Sequence, residues 1–88
     1  MFKPDVKKQV VLKYRELFGK DAPEPEVTGG RMDPETARRN GWPSDTYLTR
    51  LIVEGTVVAQ GRSRDWRKAY KLLKLDVERL FSEGVSLS

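Results

Sequence analysis

Eighty-eight residues are enough for one small domain, read here as spanning 1–88, whose folding hides on the order of 60–65% of the open chain's surface. Apolar residues at 38% and charged residues at 34% describe a globular chain with a wet surface and exclude the Leu-, Ile-, Val- and Phe-poor composition of a disordered tail. The absence of Cys and His excludes disulfide frameworks, thiolate metal sites and the commonest general base, while a net charge of +4 admits a polyanionic partner without requiring one.

No apolar run approaches the roughly 18 residues a membrane helix needs, and Met1–Asp5 has no signal-peptide core. Cytoplasmic residence is the default expectation, with no membrane association, cofactor, metal or small-molecule substrate. The positive charge is gathered into two blocks. Residues 62–74 carry six cations (Arg62, Arg64, Arg67, Lys68, Lys71, Lys74) against Asp65 alone, and residues 3–20 carry six against Asp5 and Glu16.

Val6, Val10, Tyr14 and Leu17 recur at helical spacing, widened by Val11 and Phe18, and predict a helix over Val6–Phe18. Asp5 is placed to cap its start and Gly19 to end it. Pro23 and Pro25 forbid its continuation, and Glu26-Val27-Thr28 then reads as a short strand. Gly29-Gly30 opens a long connection to Asp45. Within it, Asp33 as cap, Pro34 at the first position and Gly41 as stop predict a short helix over Pro34–Asn40.

Thr46–Val53 is rich in β-branched and aromatic residues, with Tyr47, Leu51 and Val53 on one side and Leu48, Arg50 and Ile52 on the other. Glu54-Gly55 reads as a tight turn into a strand over Thr56–Ala59, making an antiparallel hairpin. From Asp65 to about Ser82, Ala69, Leu73, Val77 and Leu80 form the inner stripe of a last helix, flanked by Trp66, Tyr70, Leu72 and Phe81, with Gly84 ending it. The expected architecture is α+β in the order α-β-β-β-α. A three-stranded antiparallel sheet carries two helices packed on one face, and a short extra helix lies in the connection between strands one and two.

The spacing Tyr47-x3-Leu51-x-Val53 followed by Gly61-x-Ser63-x-Asp65-x3-Ala69 resembles the double-stranded-RNA-binding domain family, most closely over Thr46–Phe81 and more loosely over Val6–Thr28. The resemblance implies that the first helix and the loop between strands one and two enter successive minor grooves of an A-form duplex. It also implies that the start of the last helix holds phosphates across the major groove between them. By position, the phosphate-holding region falls on Gly61–Lys71. Asp65 stands where the family usually has a Ser cap, Trp66-Arg67 replace a lysine pair, Ala69 matches, and Tyr70 takes the place of a third lysine with Lys68 and Lys71 beside it. The family's Gly-Pro-x-His loop motif is missing, and an insertion with Arg38, Arg39 and Trp42 replaces it. Lys13 and Glu16 both stand near the first-helix position that reads the minor groove.

The strongest cluster is Arg62, Arg64, Arg67, Lys68, Lys71 and Lys74. Cations at a helix start are mildly unfavourable for the helix itself, which favours a phosphate clamp over a merely solvated face. Arg38 and Arg39 with Trp42 either enter a groove or leave the arginines solvated and the indole folded over the sheet edge, and the sequence does not choose. Trp66 reads as core, and Lys7, Lys8, Lys13 and Arg15 as the wet side of the first helix. The 13 acids show no paired arrangement and Ser63 has no adjacent base, so no catalysis is expected. The function expected is shape-based binding of double-stranded or structured RNA through phosphate contacts. The alternatives are a protein–protein or self-association module of the same fold, and a duplex-DNA binder.

Overall fold

In the computed structural model, which describes residues 5–85, Val6–Phe18 form α1. The Asp5 carboxylate accepts the Lys8 N–H at 3.0 Å, and Gly19, at φ +91°, releases the chain from the last turn. Residues Met1–Pro4, including the segment read as lacking a signal-peptide core, lie outside the described residues, as does Lys3 of the first basic block. Pro25–Arg31 form β1, Pro34–Arg39 α2, Tyr47–Val53 β2, Thr56–Ser63 β3 and Trp66–Ser82 α3. The sheet is antiparallel in the order β1-β2-β3, and α1 and α3 cover one of its faces. The α-β-β-β-α expectation holds, with α2 as the inserted helix.

Two strand boundaries differ from expectation. β1 runs through Gly29 and Gly30 to Arg31, with Gly29 opposite Thr49 and Gly30 opposite Leu48, where the sequence predicts a strand ending at Thr28 and a loop opening at Gly29. The reason lies across the sheet: a Cβ on Gly29 would collide with the Tyr70 hydroxyl and ring, so the missing side chain accommodates packing. β3 likewise runs past Ala59 to Ser63, because Gly61 lies against the backbone of α3 at Ala69 and Leu73.

The β2–β3 turn is formed by Glu54 at φ +52° and Gly55 at φ +79°, the pair of left-handed residues that matches the twist of a two-residue hairpin. Val58 is the extra residue of a bulge, since Ile52 pairs with Val57 and Leu51 with Ala59. The core joins Val10 and Tyr14 of α1, Leu51 and Val53 of β2, Ala59 of β3, and Tyr70, Leu73 and Val77 of α3. Tyr14 is fully buried, and its hydroxyl donates to the Pro23 carbonyl at 2.7 Å, tying the α1–β1 loop to the core. Buried Thr49 holds its hydroxyl 3.0 Å from the carbonyls of both Gly61 and Ala69, joining β2, β3 and α3.

Along the free edge of β3, the Gln60 N–H donates to the Asp76 carboxylate at 2.9 Å. Asp76 in turn receives the Arg79 guanidinium at 2.7 Å, and Arg79 reaches Glu83 at 2.7 Å.

Candidate nucleic-acid interface

The start of α3 is built by side chains before it is reached by any ligand. Asp65 accepts the Arg67 N–H at 3.0 Å and donates its own N–H to the Ser63 hydroxyl at 3.3 Å, which fixes the first turn. From that turn Arg67, Lys71 and Lys74 follow at steps of four and three residues and share one flank, Arg67 and Lys71 exposed and Lys74 half-buried. The flank faces α1, because Glu78, the next residue along it, lies 3.5 Å from the Lys13 ammonium of α1. Lys13 also reaches Glu16 at 3.5 Å, so its charge is shared between two carboxylates. Trp66 packs partly into the core with its ring edge-on to Tyr70 at 6.4 Å, and the Arg67 guanidinium lies 5.4 Å over its indole.

At the approach to α3, Arg64 donates to both carboxylate oxygens of Asp45, at 3.0 and 2.8 Å, and Arg31 donates to the Asp45 carbonyl at 2.8 Å. The hydrogen bond from Arg64, reinforced by the charge of Arg31, holds the Asp45 carboxyl below its usual range. Asp45 thereby anchors two cations beside the helix start. The loop expected after Thr28 leaves Arg31 out of the candidate residues, whereas β1 runs through it. Pairing all of 47–53 with the residues before it would have carried β1 through Arg31 and found it.

The remaining basic residues part from this group. Lys68 lies on the other flank of α3, in helical register with Leu72, Leu75 and Arg79. Arg62 does not join the α3 cations at all. Ala59 is buried and Gly61 abuts α3, so the alternation of β3 turns Gln60 and Arg62 toward the outer face of the sheet, at the edge where both also border the groove beside Asp76 and Arg79. There the Arg62 guanidinium lies 4.3 Å over the Trp42 indole. Trp42 is half-buried. Its N–H donates to the Ala37 carbonyl at 2.9 Å, and Ala37 is fully buried, so α2 and Trp42 form one folded unit. Arg38 and Arg39 ride exposed on α2, with Arg39 3.1 Å from Glu35.

Neither a protein-family model nor a curated protein sequence matches the chain. Among solved structures it is similar to the C-terminal dsRBD of fission yeast Dicer, with a TM-score of 0.51 at 17% identity, over 98% of this chain and 87% of that one. The fold is that of a double-stranded-RNA-binding domain. Within the dsRBD fold, α3 is the last helix, α2 is an insertion in the β1–β2 connection, and the Arg67-Lys71-Lys74 flank lies between the last helix and α1.

Proposed function

We propose that this chain is a nucleic-acid-binding module that grips double-stranded RNA by shape, through phosphate contacts from the start and α1-facing flank of α3. The observation that carries the reading is the run Arg67, Lys71 and Lys74 on one flank, led by a capped helix start and joined by the Arg64 and Arg31 pair on Asp45. Like charges so concentrated repel one another unless a polyanion meets them. An A-form duplex displays backbone and 2′-hydroxyls more than readable base edges, so sequence preference is expected to be slight.

The test is binding of blunt duplex RNA by the parent and by R67Q/K71Q over a range of salt. Each phosphate contact contributes a slope of about −0.9 in log affinity against log salt, so the double variant is expected to lose affinity for every duplex alike and flatten the slope by about two. Its stability is expected to stay within about 0.5 kcal/mol of the parent, since both side chains are solvent-facing. Undiminished binding by the double variant, or no duplex binding by the parent at low salt, overturns the proposal. A duplex-DNA arm separates the DNA alternative.

The protein-partner reading has one observation in its favour: Leu72, Leu75 and Val57, at 37%, 51% and 44% exposure, border the groove between α3 and the β3 edge. A failed duplex assay would direct attention there.

A further inference from the structure

The face of the sheet opposite the two helices is covered by neither of them. Along it the outward residues are Thr28 and Gly30 of β1, Leu48 and Arg50 of β2, and Gln60 and Arg62 of β3. Arg62 lies opposite Leu48 and Arg50 opposite Gln60, so the two arginines are diagonal neighbours on adjacent strands. The one acid in the outward register of the three strands is Glu26, opposite Ile52 and so the diagonal neighbour of Arg50 on its other side. Two arginines against that one acid leave the outward strand residues with a net positive charge.

The geometry of Arg62 says what kind of anion suits it. Its guanidinium lies 4.3 Å over the Trp42 ring, and the residue is exposed, so a ligand can reach the planar cation where it rests on the indole. The main chain of Trp42 is held by its bond to Ala37, and its indole already meets Arg62 before any ligand arrives. A planar base can continue such a stack, since bases lie on Arg planes as readily as on aromatic rings. A duplex keeps its base planes internal except at its two ends, so along its length it cannot use this surface in that way. An unpaired strand can.

We propose that the outer sheet face is a second nucleic-acid site, taking an unpaired polynucleotide strand. One base stacks on the Arg62–Trp42 pair, and Arg50 meets the backbone phosphate beside it. The site is on the opposite side of the sheet from the α3 flank, so the two fail or succeed separately.

Fluorescence anisotropy with a labelled oligouridine of about ten nucleotides tests it, alongside an oligodeoxythymidine of equal length and a blunt RNA duplex. R50Q/R62Q is expected to weaken oligouridine binding by about tenfold or more and to leave duplex affinity within about twofold. R67Q/K71Q is expected to do the reverse. Both single strands are expected to bind alike, because stack and charge do not read the 2′-hydroxyl. R62K keeps the charge and loses the plane, and is expected to retain most of the defect. Thermal unfolding of each variant by circular dichroism checks that the exposed substitutions leave the fold in place. The proposal is overturned if R50Q/R62Q binds oligouridine as the parent does, if R62K restores parental binding, or if R67Q/K71Q abolishes single-strand binding too. Absence of single-strand binding by the parent at low salt overturns it as well.

Discussion

Gly61 sets how closely β3 approaches α3, because a Cβ there would collide with the Ala69 carbonyl oxygen and the Leu73 nitrogen. Those are backbone atoms of a packed helix and cannot swing aside as a side-chain tip can. Gly61→Ala is therefore expected to cost about 3 kcal/mol or more by urea unfolding, the upper end of overpacking effects. Gly30→Ala is the matched control. Its Cβ would project into open space on the outer sheet face, and the variant is expected to stay within about 1 kcal/mol of the parent. The buried Thr49 hydroxyl, between the Gly61 and Ala69 carbonyls, belongs to the same tight crossing. One glycine thus decides where the last helix lies, and with it where the cations of that helix point.

Between elements, Lys13 is the point where α1 meets the basic flank of α3, and Glu78 is the acid that occupies it. Glu78→Gln removes a negative charge from that flank and leaves Lys13 paired with Glu16 alone. Duplex RNA affinity is expected to rise by roughly two- to fivefold, the scale of one exposed ion pair, as measured by anisotropy at low salt. The helices themselves were legible in the sequence. α1 and α3 repeat apolar residues at helical spacing between a capping Asp and a glycine, and the Asp33 cap with Pro34 gave α2. Strand ends were less so, because Gly29-Gly30 reads as the opening of a loop and the apolar run of β3 ends at Ala59, whereas in the fold Gly29 and Gly61 hold positions that Tyr70 and α3 crowd. The site was half legible for a related reason. Arg67, Lys71 and Lys74 lie on one helix and keep their spacing as a flank. Arg62 is near them in sequence but on a strand, where alternation reverses its side, and only the packing of Gly61 against α3 shows which side that is.

At the scale of the whole molecule, the sheet divides the side covered by α1 and α3 from the side where Trp42 meets Arg62, and Tyr70 of α3 ties the two layers together. Its hydroxyl lies over Gly29, and its ring centroid is 6.0 Å from that of Tyr47. Burial first, and the hydrogen bond shared with Tyr47 second, push the Tyr70 hydroxyl from 10.0 up to about 12. Between those values the folded chain keeps a proton that the unfolded chain has released. The stabilisation is complete below pH 10.0 and is lost as pH rises through about 12. Urea midpoints taken across that window are expected to fall more steeply for the parent than for Y70F, which keeps the lysine titrations and removes this one. The free edge of β3 has a different bearing on the molecule as a whole. An edge strand is a template onto which another extended chain can zip, rung by rung. Here the Gln60 rung is already taken by Asp76, itself clasped by Arg79 and Glu83. A stray strand would have to break that clasp before it could seed, which slows fibrous growth in a crowded solution.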